Sequence, residues 1–212
     1  MKNIKDIRIV FMGTPDFAVE SLKALVAAGA NIVAVVTTED KVAGRGHKIQ
    51  VSAVKKYALE LGVSILQPAK LKAPEFLSDL ASCKADLQIV VAFRMLPKEV
   101  WDMPVMGTFN LHGSLLPQYR GAAPLNWAII NGDKETGVTT FLLDEKIDTG
   151  RLLLNETIAI GSDDNVGDIH DRLMVIGGKL VVKTVEALIN NKVEAVPQEN
   201  HINEEISLKH AP

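Results

Sequence analysis

Apolar positions along this chain follow two rhythms, and the switches between them divide it into elements. Residues 7–12 and 31–38 are short, β-branched apolar runs that predict buried strands. Between them Phe17, Leu22, Leu25 and Val26 recur at helical spacing and stop at Gly29. Gly13-Thr14-Pro15 joins strand to helix, with Thr14 expected to cap the helix and Pro15 to sit in its first turn. This opening has the length of a β-α-β unit. Residues 39–50 have no period and predict a mobile loop. A helix is expected over 51–61, stopped by Gly62, then a strand over 64–66, a helix over 74–81, the most apolar strand over 87–93 and another over 107–111. A helix over 123–130 ends at Asn131-Gly132. Residues 137–143 and 151–160 alternate as antiparallel strands do. Ile169, Leu173, Ile176, Leu180 and Leu188 mark a long amphipathic helix over 165–189.

Strands alternating with helices predict an α/β fold: an open, mostly parallel, Rossmann-like sheet with helices on both faces. Such sheets bind ligands at the carboxyl ends of their strands. Residues 1–190 are expected to form one domain, and the polar stretch from Pro197 onward a linker or tail within 191–212. The 212 residues carry a net charge of −3, which argues against a whole-surface basic field for nucleic acid and leaves only local contact. Cys83 is the single cysteine, so a disulfide within the chain and a CxxC site are excluded, and a reducing cytoplasm fits. Cys83 reads as a small, partly buried apolar residue in preference to a catalytic thiol. The start of the chain shows no signal-peptide pattern, and no apolar run approaches the ~18 residues a membrane span needs. No membrane partner is expected.

Gly13 stands where a dinucleotide fingerprint would begin, but GxGxxG is absent and Asp16 would repel a pyrophosphate. A capped βα turn is the expectation, and nicotinamide chemistry is disfavoured. Gly44-Arg45-Gly46-His47-Lys48 likewise fails the phosphate-loop pattern.

The stretch Asn110-Leu111-His112-Gly113-Ser114-Leu115-Leu116-Pro117 carries the chemistry. Asn110 and His112 are two apart, so on a strand they share a face at its carboxyl end. A carboxamide can donate to an oxyanion while an imidazole moves a proton near neutral pH. A hydrogen-bonded structural histidine is the alternative. Asp148, in Lys146-Ile147-Asp148-Thr149-Gly150, could reach the imidazole and hold one tautomer, or could merely bond its own turn backbone. For Tyr119 and Arg120, substrate positioning and plain loop packing stay open.

These motifs, together with Gly13-Thr14-Pro15-Asp16-Phe17-Ala18, Ala43-Gly44-Arg45-Gly46, Tyr119-Arg120-Gly121-Ala122-Ala123-Pro124 and Glu135-Thr136-Gly137-Val138-Thr139, closely resemble the methionyl-tRNA formyltransferases, a branch of the folate-dependent formyltransferases. The resemblance runs over about residues 7–189. It implies the formyltransferase fold, cytoplasmic location and transfer of the formyl group of 10-formyltetrahydrofolate to the amino group of methionyl-initiator-tRNA for translation initiation. It implies that Asn110, His112 and Asp148 are catalytic, and that Ser114, Leu115, Leu116 and Pro117 line the folate site. Phe93, Arg94, Met95 and Leu96 would wall the pterin. Lys41, Arg45 and Lys48 would meet tRNA; a solvated loop is the bland alternative, since Glu39 and Asp40 partly cancel the charge. No metal is expected, because the leaving nitrogen is an aryl amine and no Cys/His ligand set is clustered. A monomer is expected, with residues 191–212 leading toward a C-terminal tRNA-binding domain. One departure is visible: the turn Phe93-Arg94-Met95-Leu96-Pro97 is one residue shorter than the family's usual pattern. Related enzymes with a glycinamide nucleotide or an amino sugar as acceptor, and a non-catalytic folate- or nucleotide-binding module, are the rival readings.

Overall fold

The structure, a computed structural model, describes residues 3–43, 48–202 and 207–212. The fold is α/β, with seven strands in a mixed, mostly parallel sheet. The chain divides into two compact units, Asn3–Thr108 and Phe109–Pro212.

The first unit contains β1 (Arg8–Gly13), α1 (Asp16–Ala27), β2 (Asn31–Val36), β3 (Lys41–Ala43), β4 (Lys48–Gln50), α2 (Ala53–Leu61), β5 (Ser64–Leu66), α3 (Pro74–Ser82), β6 (Leu87–Val91) and α4 (Lys98–Trp101). Its parallel strands run in the order β6-β1-β2-β5. All five residues of β6 are buried, as are the last five of β1, which explains why these runs are apolar but for Gln88, whose amide oxygen accepts from the Thr108 hydroxyl at 3.0 Å. At Gly13 a Cβ would stand 2.6 Å from the Ala18 side chain and 3.0 Å from the Val91 carbonyl, so this glycine lets α1 close down on the strand ends. It serves close helix–strand packing.

Two local expectations are corrected here. Thr14 does not cap α1: Pro15 is the N-cap, without a side-chain bond, and its carbonyl accepts from Ala18 and Val19. Residues 39–50 are not simply a loop, because β3 and β4 pair antiparallel with Val42 opposite Ile49. Strands of three residues are too short to show a period, and these two, unlike β5, do not follow a helix with a clear stop. Helix α4, four residues long, escaped for the same reason. Among the described residues no helix is long and apolar enough to cross a membrane.

The second unit contains β7 (Thr108–His112, all but its first residue), β8 (Arg120–Gly121), α5 (Pro124–Ile130), β9 (Glu135–Leu142), β10 (Leu152–Ala159), α6 (Val166–Ile189) and β11 (His210–Ala211). β9 is antiparallel to both β7 and β10. Asn165 and Asp168 close a reciprocal capping box at the start of α6. That helix packs on β9 through a buried bond between the Thr140 and Thr184 hydroxyls, 2.9 Å apart. It also approaches β7 closely at Gly177, where a Cβ would lie 2.8 Å from Leu111 Cδ2. The stretch beyond α6 carries two unexpected features: a buried Gln198 in a 3-10 turn (Gln198–His201), and β11, which pairs parallel with β8.

Candidate active site

Asn110 and His112 lie on β7, opposite Phe141 and Thr139 of β9. His112 is buried, and Phe141 meets its ring edge-on, centroids 6.4 Å apart. Nε2 of His112 is 2.9 Å from the carbonyl oxygen of Tyr119. A carbonyl only accepts, so Nε2 carries the hydrogen, and in the neutral ring Nδ1 is left as a bare lone pair. Nδ1 faces Asp148 Oδ2 at 3.8 Å. That is too long for a hydrogen bond but close enough for strong attraction once the ring is protonated. The tautomer is therefore set by the Tyr119 backbone, and not by the carboxylate to which sequence reasoning gave that task.

Asp148 adopts φ +54 in the turn between β9 and β10, a left-handed conformation that Asp tolerates better than most residues. Its side chain does not serve its own turn. Asp144 does that instead, accepting from Lys146 N at 3.0 Å and from the Thr149 hydroxyl at 2.8 Å. Asp148 Oδ2 accepts from Gly121 N at 2.9 Å, so β8 and the residue before it hold both partners: Tyr119 O the imidazole, Gly121 N–H the carboxylate. The close course of the turn depends on Gly150, where a Cβ would fall 1.7 Å from the Leu142 carbonyl oxygen.

Asn110 has a buried Oδ1 with no hydrogen-bond partner among the described residues. An unmet buried acceptor costs about 1–3 kcal/mol, which a bound polar group would relieve. The strand repeat puts this amide on the same face as His112.

Other expected site residues are spread over both units. Ser114 is fully buried; its hydroxyl donates to Gln118 O at 2.6 Å and its carbonyl accepts from the Thr139 hydroxyl at 2.7 Å. The Leu116-Pro117 peptide is cis, Leu116 packs with Phe141 and Leu152, and Leu115 lies against Gly137. In the first unit Phe93, Arg94, Met95 and Leu96 form the turn after β6. Leu96 is buried and Met95 exposed. Arg94 donates to the Ala69 carbonyl at 3.0 Å and to that of Pro68, and stacks near the Phe93 ring. Lys41 opens β3 and is exposed. Lys48 opens β4. Arg45 lies outside the described residues. Asp40 turns away to Lys55 Nζ (2.6 Å) and Gln67 (2.9 Å), which hold its carboxyl below the usual range.

Tyr119 and Arg120, left open from sequence, bind the polypeptide itself. The Tyr119 hydroxyl donates to Asp133 at 2.6 Å and accepts from Asn131 at 2.9 Å; burial, then the Asp133 carboxylate, pushes its ionisation upward. Lys209 joins this group through Asp133, whose hydrogen bond raises the ammonium's pKa. Arg120 donates through Nε and a terminal nitrogen to Gln198 Oε1 at 2.9 and 2.7 Å. Gln198 had no signal in the sequence: it is one polar residue in a polar stretch. Cys83 is half-buried, its thiol pushed up chiefly by burial.

Residues 7–185 match the formyl transferase family. The chain belongs to that family. Among its relatives, the methionyl-tRNA formyltransferase of Bacteroides thetaiotaomicron is 61% identical over 92% of this chain and 61% of its own length. The same enzyme of Bacteroides fragilis is 62% identical over 92% of this chain and 60% of its own. The chain thus spans about three fifths of the length of the curated relatives it matches. In fold it is similar to the phosphoribosylglycinamide formyltransferase of Anaplasma phagocytophilum, with a TM-score of 0.77 at 17% identity over 97% of this chain and 98% of that one. The formyl transferase fold accounts for the mixed sheet.

Proposed function

We propose that this chain is the formyl-transferring part of a methionyl-tRNA formyltransferase, acting as a monomer in the cytoplasm, with 10-formyltetrahydrofolate as donor and the amino group of methionyl-initiator-tRNA as acceptor. One observation carries the reaction: a lone-pair nitrogen and a carboxylate 3.8 Å apart, with a carboxamide whose Oδ1 is buried and unpaired among the described residues on the same strand face as the imidazole. The acceptor follows the relatives' identity. The folate would supply a formyl group already activated on nitrogen.

The chain's own groups then have distinct tasks. Asn110 holds the formyl oxygen with its amide N–H and stabilises the charge that gathers there; loss of one such donor typically costs about 10²–10³ in rate. His112 takes the proton of the attacking amine at Nδ1, the nitrogen its bond to Tyr119 O leaves free, and passes it toward the leaving nitrogen. Asp148 stabilises the imidazolium so formed. In this proposal Ser114, Leu115, Leu116 and Pro117 line the folate site, and Phe93, Arg94, Met95 and Leu96 wall the pterin. Lys41, Arg45 and Lys48 contact tRNA phosphates, and residues 191–212 lead from the catalytic domain, 1–190, toward a tRNA-binding domain.

The test is transfer of labelled formyl from 10-formyltetrahydrofolate to methionyl-initiator-tRNA, to a glycinamide nucleotide and to a nucleotide-linked amino sugar, each assayed with the intact protein. Transfer to the tRNA alone is expected. Preferential transfer to either small acceptor would reassign the substrate, and folate binding without transfer to any amine would reduce the chain to a binding module. Arg45→Ala should weaken tRNA binding and flatten its salt dependence; unchanged affinity and slope would remove that residue from the interface.

A further inference from the structure

Gln198 is wholly buried, and its carboxamide is saturated. Its Nε2 donates one hydrogen to Asp148 O and the other to Gly150 O, both at 2.8 Å. Its Oε1 accepts twice from Arg120. Two donors and two lone pairs are all such a side chain has. Val196, just before it, is fastened to Leu152 by two backbone bonds of 2.8 and 2.9 Å. Beyond the turn, Lys209 O accepts from Tyr119 N at 2.8 Å and Ala211 O from Ala122 N at 2.9 Å. The stretch after α6 therefore grips the Asp148 turn on one side and β8 on the other.

The geometry points to Gln198 as a positioning residue for the His112–Asp148 pair, a role that rests on the proposed function. Asp148 sits at φ +54, a conformation its own backbone disfavours, and no glycine eases it. Its side-chain anchor, Gly121 N, is on β8. The turn's backbone is held by Gln198, which also grips β8 through Arg120. A single amide thus sets the distance between β8, next to the Tyr119 carbonyl that supports His112, and the turn that carries Asp148. Carboxylates and carbonyls cannot replace it, because the two turn carbonyls need donors while Arg120 needs an acceptor. Methionine, near in volume, supplies neither.

The experiment is a double-mutant cycle on the intact protein, read by single-turnover formyl transfer. Gln198→Ala should lower the transfer rate by about 10-fold or more and leave the KM of both substrates within about 2-fold. If the alanine variant unfolds, Gln198→Met takes its place with the same expectation. In an Asp148→Ala background the same change at Gln198 should cost less than about 2-fold, because a residue acting through Asp148 has nothing left to position. A rate unaffected by either Gln198 variant overturns the inference. So does an equal loss in both backgrounds, which would mark a general structural role. If Asp148→Ala alone keeps the parent rate, the assignment of the catalytic pair fails first and the role of Gln198 falls with it.

Discussion

The carboxylate at 148 offers the sharpest test of how this site works. In Asp148→Asn the negative charge disappears, while the amide oxygen can still accept from Gly121 N, now 2.9 Å from Oδ2. What is lost is attraction between Asp148 and the imidazolium formed when His112 takes a proton at Nδ1, 3.8 Å away. Unit charges at that separation attract by about 4 kcal/mol at an effective dielectric near 20. Both side chains are mostly shielded from water, at 7% and 14% exposure, so solvent screening is limited. With the proton half transferred at the transition state, about 2 kcal/mol is at stake, and with full transfer about 4. The rate should fall by a factor between roughly 30 and 1000. Single-turnover transfer of labelled formyl at saturating folate and methionyl-tRNA measures this, with a thermal melt alongside. The melting temperature should shift by only a few degrees, because the bond from Gly121 survives. A folded Asp148→Asn protein turning over within about 3-fold of the parent would refute the electrostatic argument, since such a change is worth less than about 0.7 kcal/mol.

The remaining expectations concern the frame around the site. Gly150→Ala sets a Cβ 1.7 Å from the Leu142 carbonyl oxygen and should cost about 2–4 kcal/mol in urea unfolding; parent-like stability would mean that the turn between β9 and β10 can move aside. Thr184→Val breaks the buried bonds to the Thr140 hydroxyl at 2.9 Å and the Leu180 carbonyl at 2.7 Å, and should cost about 1–2 kcal/mol by the same assay. For alkaline pH, Tyr119 is raised by burial and then by Asp133, and Lys209 is raised by its bond to Asp133. Groups with raised folded-state values stabilise fully below their unfolded values and lose that contribution as pH climbs through the folded ones, so melting temperatures should fall above about pH 10. The fall should be shallower in Tyr119→Phe; an equally steep fall in that variant would show that the Tyr119 hydroxyl does not contribute.

Much of the frame is written in local patterns. β6 is legible because all five of its residues are buried, and α6 because its apolar residues recur every three or four positions and Asn165 caps its start. β3, β4, β8 and β11 are not legible, since two or three residues cannot display a period; the equally short β5 is legible only by its place after a helix stopped at Gly62. Within the site, Asn110 and His112 share a face by the strand repeat alone. The choice between Asp144 and Asp148 is different: both are carboxylates in one turn, yet one bonds its own loop and the other reaches Gly121. Nothing in their neighbours along the chain separates them.

By itself the amino-acid order determined the elements, the sharing of a face by carboxamide and imidazole, and the formyl transferase motifs, because these depend on residues a few positions apart. The tertiary structure alone decided which nitrogen of His112 is free, which aspartate faces it, and that Gln198, buried out of a polar stretch, ties the turn to β8. Those outcomes depend on distances between residues 7 to 78 positions apart, which only packing brings close together.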